Sequence, residues 1–560
     1  MRIVGLLVGN LAVLLASHAI LRRVRSGEAS TDAVLFLLIR LALISAVVLL
    51  AGAAGGLSAW PLTIAGTLAL AGLLALGEHR RLPKFRLPEV GKGALIFAAV
   101  LIVRSLIQVW LFAPFQRDAL TYHLPKIGEW IQHEGFTREW GLDLRSTFPS
   151  GFELIETWWV VFLHHDALIE MAGLEFLLLA FLSVVDLCRR TGLPSRIAFL
   201  GGLLYALTPG LCLQATSCLN DAPAAALWTA TAALILGRLP WPLLLLPAAM
   251  GFGVKPTYGY AVPGLLLLAF WWRPKPGTRW TVAVAALAMM VGSSWYVRNA
   301  VMYGNPIYPM GRGGISVQKG HVAQRMGPSL GSLSDNLSRL AETRIDDHLG
   351  PYDPELPYIS GWGAAPYGVG LVAVFLAVRT DRSMRRLAAA FGASLLCVLL
   401  LVVFDPWYLR YVLFFPALFA VASAKLIGEI PETALIAWAA LLLEFAGSCV
   451  PGRFPVGGLG DLAAQSWRQR TFYAHPDLQA VEAMGFLEGP GDEVKIYPLY
   501  RPDYSRRIVP LRAGSSEELL NLLRREGLSY LYCPSDRELS KQCLDQNRIR
   551  RLGGGLYAVK

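Results

Sequence analysis

The stretch PFQRDALTYHLPKIGEWIQHEGFTREWGLDLRSTF, residues 114–148, decides how the chain is read. It lies between two strongly apolar regions and brings acid, imidazole, aromatic and guanidinium groups together. Leu120, Leu124, Ile127 and Ile131 recur at helical spacing, so the segment is expected to lie as a helix along a membrane surface with Asp118 at its head. Any chemistry the chain performs is expected here.

Composition makes the surrounding regions membrane-spanning. With 560 residues, 54% hydrophobic and 16% charged, and a mean hydropathy of +0.47, the chain is too apolar for a soluble protein and too long for a single span. The formal charge of +11 does not point to nucleic acid, because the basic residues fall in short clusters between apolar runs, where membrane orientation uses them. Seven cysteines show no metal spacing and no disulfide framework; Cys533 and Cys543 are the one candidate pair.

Charge bookkeeping then orients the runs. Residues 3–21, 33–52, 60–77 and 93–112 read as spans. Arg22, Arg23 and Arg25 after the first, and the basic loop EHRRLPKFRLPEVGKG after the third, belong on the cytoplasmic side, which places residues 114–148 outside. Residues 149–164 are too short for a hydrocarbon core of about 30 Å at about 1.5 Å per residue, so they are expected to stay on the outer surface. Spans continue at 167–187, 197–211, 221–237, 242–254, 258–272, 280–297, 366–378, 388–404, 411–427 and 432–449, about fourteen in all, with basic loops CRRTGLPSR, RPKPGTR and RTDRSMRR inside. Residues 450–560 are left outside as a small α/β domain: a strand at 493–500, a helix at about 516–527 capped by Ser515 or Ser516, a strand at 528–533 and a last strand near 556–559.

This topology gathers polar clusters from distant parts of the chain on one face: Arg117-Asp118 to His133, Asn220-Asp221, Lys255 with Arg298-Asn299, and Asp405 to Tyr411. The motifs DALTYHLPKIGEWIQ, LNDAP, WYVRNAVMYGNPIYP and RYVLFFPALF, in that order and on that side, resemble polyprenyl-phosphate-sugar-dependent glycosyltransferases of the GT-C fold, the group of bacterial lipid A and lipopolysaccharide sugar transferases and relatives of protein O-mannosyltransferases. The resemblance covers roughly residues 93–449. It implies an all-α polytopic bundle in the inner membrane, with outer-face juxtamembrane helices and an extracytoplasmic active site. Residues 1–92 would be accessory helices, 93–449 the transferase core and 450–560 the extracytoplasmic domain.

The resemblance also assigns roles. A polyprenyl-phosphate sugar would be the donor, and a glycan, lipid or protein hydroxyl the acceptor. Inversion is the expected outcome. Asp118 would be the catalytic base; Lys255, Arg410 and Tyr411 would bind the donor phosphate; Asp221 with Asn220 would serve the acceptor; Arg117, Tyr122, His123, Glu129 and Arg298 would line the site. No cofactor is firmly implied, and no acidic motif supports a divalent ion. Each residue has a plainer reading as well. Asp118 and Asn220-Asp221 sit where helix caps belong. Lys255 can snorkel to the interface, and Trp407, Tyr408 and Arg410 can anchor there. Glu129 and His133, four residues apart, read as a solvated pair, and Trp158, Trp159, Trp271 and Trp272 as interfacial belt residues. Arg104 lies about 12 Å below the outer end of its span and is expected to point inward, with Glu175 or Asp118 as partner. Two other function classes stay open: a transporter or flippase for lipid-linked sugars, which should show repeat symmetry, and a non-catalytic envelope assembly protein.

Overall fold

A computed structural model describes residues 2–82, 90–114, 116–136, 144–309, 331, 333–337, 361–363, 369–402, 408–448, 463–464, 466, 481–487, 496–533, 538–553 and 555–560. Asp405, Trp407 and residues 493–495 of the expected strand lie outside these described residues. The membrane part is helical: α1 (Arg2–Val24), α2 (Ala29–Ala54), α3 (Ala59–Ala75), α4 (Lys92–Leu111), α5 (Leu124–Gln132), α6 (Gly151–Val161), α7 (Met171–Arg190), α8 (Ser195–Ala206), α9 (Pro209–Gln214), α10 (Asp221–Leu236), α11 (Trp241–Val254), α12 (Val262–Trp272), α13 (Arg279–Tyr303), α14 (Leu371–Thr380), α15 (Arg382–Leu401), α16 (Pro416–Glu429) and α17 (Ala434–Ser448). Every apolar run expected to span contains one of these helices. Among the described residues, six are by themselves long and apolar enough to cross a membrane; the others are shorter.

Of the helices of residues 1–92, α2 lies within the bundle. α2 packs against α6, α7 and α13, and its buried Leu35, Leu38, Leu41 and Ile44 share one apolar core with α6, α7, α10 and α16. Such an element needs its few polar groups matched inside the bundle. Arg40 of α2 donates to Glu175 of α7 at 2.9 Å and to Asn10 of α1 at 2.7 Å. Glu175 is therefore not the partner of Arg104, whose Nη2 instead donates to the Ser448 carbonyl at 2.9 Å.

Two expectations about the outer surface are corrected. α6 is short, as expected, but every residue except the half-buried Trp159 is buried rather than lying on a surface; Trp158, at 2% exposure, packs on Phe162 and Gly9 instead of forming a belt. α5 likewise buries every residue from Leu124 to Ile131. Its apolar stripe faces the bundle as the periodicity predicts. Its polar face, which had only solvent to meet in the sequence, is covered by Glu153 of α6 at Lys126 and by the C-terminal domain at Glu129 and Gln132.

That domain is a five-stranded sheet of order β2-β1-β3-β5-β4, with β1 (Ala483–Leu487), β2 (Arg507–Leu511), β3 (Tyr530–Tyr532), β4 (Ile549–Gly553) and β5 (Leu556–Val559). β2, β1 and β3 run parallel; β3, β5 and β4 run antiparallel. α18 (Ser516–Arg525) links β2 to β3, and α19 (Glu538–Asp545) precedes β4. Ser515 is the N-cap of α18: its hydroxyl accepts from the Glu518 amide, and the Glu518 carboxylate accepts from the Gly514 amide. The expected strand at 493–500 is corrected. Tyr497–Tyr500 form a 3-10 turn, because Pro498 cannot donate to a ladder and the whole turn is buried against α5. β1 went unread because Gly485 interrupts its pattern; a Cβ there would stand 2.4 Å from Leu511 Cδ1, so the close approach of that side chain requires glycine. Cys533 and Cys543 are both buried free thiols and do not pair.

The tail is docked by long-range polar contacts. Tyr500 donates to Glu129 at 2.9 Å, Gln132 donates to the Tyr504 carbonyl at 3.1 Å and to the Arg506 carbonyl, and the Asp166 amide donates to the Pro502 carbonyl at 2.9 Å. The C-terminal domain therefore lies on the same face as residues 116–136. Gly128 admits this contact: a Cβ would come 2.9 Å from the Tyr500 ring. Gly128→Val is expected to lift the tail from α5, read as faster proteolysis between residues 496 and 533 in limited digestion; unchanged digestion would count against this docking.

Candidate active site

Five segments build the site. Asp118 precedes a turn of π-helix, Ala119–His123, of the kind found at functional positions. Arg145 comes from the 3-10 turn Leu144–Thr147, Asp221 from the first turn of α10, Lys255 from the residue after α11, and Arg410 and Tyr411 from the 3-10 turn Tyr408–Val412. The segments 119–123 and 144–147 touch, and the 408–412 turn touches α10.

The contacts form two ion pairs around one ring. Arg410 Nη1 donates to Asp118 Oδ2 at 3.0 Å, and its Nη2 to the Tyr411 hydroxyl at 3.4 Å. Lys255 pairs with Asp221, and its Nζ lies 4.6 Å from the centroid of the Tyr411 ring, over which the Arg410 guanidinium also lies at 5.3 Å. Arg145 stands 4.5 Å over the ring of Tyr122. Burial works to raise the Asp118 carboxyl, but Arg410 and Arg145 outweigh it and hold the carboxyl below its usual range. Burial and then the Asp118 charge push the Tyr122 phenol well up, so it stays protonated.

The plainer readings can be tested on these contacts. Neither Asp118 nor Asn220 makes a side-chain cap bond. The α10 terminus is served by Gln214, whose carbonyl accepts from the Ala222 amide at 3.1 Å, while Asn220 donates to the Val254 carbonyl at 3.1 Å and ties α10 to the residue before Lys255. Lys255 does not snorkel as a lone cation; it has a carboxylate partner.

Other expected lining residues lie elsewhere or deeper. His123 is buried behind Asp118, with Nδ1 at 2.8 Å from Glu153 Oε1, which also accepts from Lys126 at 2.8 Å; Lys126 in turn donates to Ser150 at 3.0 Å. Burial raises the Glu153 carboxyl, but Lys126 and His123 more than offset it and bring it to about 2. Glu129 is not a solvated neighbour of His133. It is buried at the tail junction under Tyr500, with His133 Nε2 at 3.4 Å on its outer side. Arg298 lies over Trp295 and donates to Asn299 at 3.1 Å, and Asn299 donates to the Thr147 carbonyl at 3.0 Å; these anchor the turn carrying Arg145 rather than facing Lys255. The Arg117 carbonyl accepts from Thr121 at 2.7 Å, bracing the turn after Asp118. An open groove of 840 Å³ between α5 and β2 contains none of Asp118, Asp221, Lys255 or Arg410; it belongs to the tail junction. Among the described residues, no three His, Cys, Asp or Glu side chains are grouped as a metal would need.

Sequence reading passed over Arg145, Lys126, Glu153, Gln214 and Tyr500. Arg145 and Lys126 lay in plain view within the opening stretch, but their placement relative to Asp118 depends on the π-turn Ala119–His123 and on contacts between segments, which periodicity does not show. The partners of Glu153 and Tyr500 are 27 and 371 residues distant.

The family described as a domain of unknown function (DUF8201) matches residues 9–317, more than half of the chain. The chain belongs to that family. Its match begins inside α1, so α2 and α3 fall within the matched unit together with Asp118, Asp221 and Lys255. No curated protein matches this DUF8201 member. Among solved structures it is similar to ArnT from Cupriavidus metallidurans, crystallised with undecaprenyl phosphate: 13% identity and a TM-score of 0.51, over 83% of this chain and 97% of that one. At that identity the likeness shows the fold. The chain is a multi-pass membrane protein with a GT-C fold and a small C-terminal α/β domain.

Proposed function

We propose that the protein is a membrane glycosyltransferase that moves a sugar from a polyprenyl-phosphate donor to a hydroxyl of an envelope glycan, lipid or protein. The observation that carries this reading is the meeting of Asp118, Arg410, Tyr411, Lys255 and Asp221, drawn from four distant segments, on the face where the C-terminal domain docks. A fold shared with ArnT, which was crystallised with undecaprenyl phosphate, supports a lipid-phosphate donor. The basic loops between the apolar runs, which the positive-inside rule assigns to the cytoplasm, support an inner-membrane protein with this face outside.

In this reading Asp118 takes the proton of the acceptor hydroxyl as its oxygen attacks the anomeric carbon. The bond from that carbon to the phosphate oxygen breaks, and the electron pair leaves on the phosphate. Lys255 and Arg410 neutralise the charge that develops there, and Tyr411 fixes where both cations stand. Asp221 holds Lys255, and Asn220 ties the preceding residue, Val254, to the start of α10.

Binding of undecaprenyl phosphate to the purified protein in lipid nanodiscs tests the reading. Lys255→Gln and Arg410→Gln are each expected to weaken binding by about tenfold or more, one charge-assisted hydrogen bond, while Arg524→Gln, exposed on α18, is expected to bind as wild type. Equal binding by all would contradict it. The pH profile offers a second check. A base must be ionised, and Arg410 and Arg145 hold Asp118 below the usual carboxylate range, so the acid limb of kcat/KM is expected to lie below that range. Removing the guanidinium in Arg410→Gln should move this acid limb upward; a limb that stays put would contradict the assignment.

A further inference from the structure

This inference rests on the reading above and concerns what Arg410 does during turnover. Before reaction its Nη1 is held by the proposed base itself, Asp118 Oδ2, at 3.0 Å. The donor phosphate is a diester with one negative charge. The released polyprenyl phosphate is a monoester carrying about two. Transfer therefore moves one negative charge from Asp118 to the phosphate: the proton of the acceptor hydroxyl goes to Asp118, the acceptor oxygen bonds to the anomeric carbon, and the electron pair of the broken bond stays on the phosphate oxygen. No other reactant is needed and the total charge is unchanged. We infer that Arg410 exchanges partners in this step, held by the Asp118 carboxylate before transfer and by the leaving phosphate once Asp118 has taken the proton.

The surroundings favour such an exchange. Arg410 has a second anchor in the Tyr411 hydroxyl at 3.4 Å, and its guanidinium lies over the Tyr411 ring, so it can leave Asp118 without losing its place. Lys255 differs: its partner Asp221 takes no proton in this scheme, so that pair stays charged throughout. The exchange makes the base and the leaving group depend on each other. While Asp118 is ionised it competes with the phosphate for Arg410, and deprotonation of Asp118 after transfer returns Arg410 to it and favours release of the product.

A charge-free Asp118 imitates the state after transfer, so a variant expected to be inactive should bind product better. Full-length protein in nanodiscs is titrated with radiolabelled undecaprenyl phosphate. Asp118→Asn is expected to bind about tenfold more tightly than wild type, the value of one charge-assisted hydrogen bond set free. Asp118→Glu, which keeps the charge, is expected to bind as wild type, and adding Asp118→Asn to Arg410→Gln should leave affinity unchanged. Equal or weaker binding by Asp118→Asn overturns the exchange while the donor reading stands. Equal tightening in the Arg410→Gln background marks a general charge effect and overturns the part given to Arg410. If wild type does not bind undecaprenyl phosphate, the donor reading falls and this inference with it.

Discussion

Asp118→Asn is expected to lower the rate of sugar transfer by about 10²–10⁴-fold, the usual share of a positioned general base, with the protein still folded. The amide has nearly the shape of the carboxylate, so the surrounding fold is preserved, but it holds Arg410 more weakly than the carboxylate and cannot take the acceptor proton. The loss should fall on kcat and kcat/KM together, since the proton is moved in the transition state. Thermal unfolding in detergent should change little, because Asp118 and Arg410 both keep some exposure and meet at the edge of the core. A variant that transfers sugar at the wild-type rate would remove Asp118 as the base. One that fails to fold would show that the ion pair is structural.

The second large effect lies one layer behind the site. Glu153 is fully buried, and its charge is held by Lys126 and by His123. Lys126→Met keeps the stem but removes the ammonium, leaving a buried carboxylate without its main partner. The expected cost is about 3–5 kcal/mol of stability at neutral pH. Adding Glu153→Gln should recover much of it, because an apolar and a neutral group can share the space that an unpaired charge cannot. The pH dependence follows from the sign of the shift. Glu153 is lowered from 4.5 to about 2 in the fold, so it stabilises the protein fully above about 4.5, and that stability is lost as pH falls toward 2. Chemical denaturation at pH 7 and at pH 3 checks both parts. A single variant as stable as wild type, or a double variant worse than the single, would contradict the network.

Much of the fold was legible because its signals are local. Apolar runs and basic clusters placed the helices, and charged residues between the runs, Asp118, Asp221, Lys255 and Arg410, had to meet wherever the loops met. What the sequence hid were contacts between distant segments. α5 reads as a surface helix because its polar face holds Lys126, Glu129 and Gln132; only Glu153, Tyr500 and the Tyr504 carbonyl show that this face is interior. α6 carries Glu153 and Glu156 and is too short to span, so it read as surface, whereas it is packed between α2, α5, α7 and α11. In the tail, Pro498 and Gly485 misled in opposite directions. One broke a run that looked extended, and the other sat within a true strand.

The bond from the anomeric carbon to the phosphate oxygen of a lipid-phosphate sugar is proposed to break as Asp118 takes the acceptor proton, and this cleavage can be observed. It is tested most directly by supplying the purified protein in proteoliposomes with a panel of radiolabelled polyprenyl-phosphate sugars and envelope acceptors, and following the label. For one donor the label is expected to pass to an acceptor with release of polyprenyl phosphate, and Asp118→Asn is expected to stop it. Passage of the intact donor across the bilayer without cleavage, equal in wild type and Asp118→Asn, would contradict it.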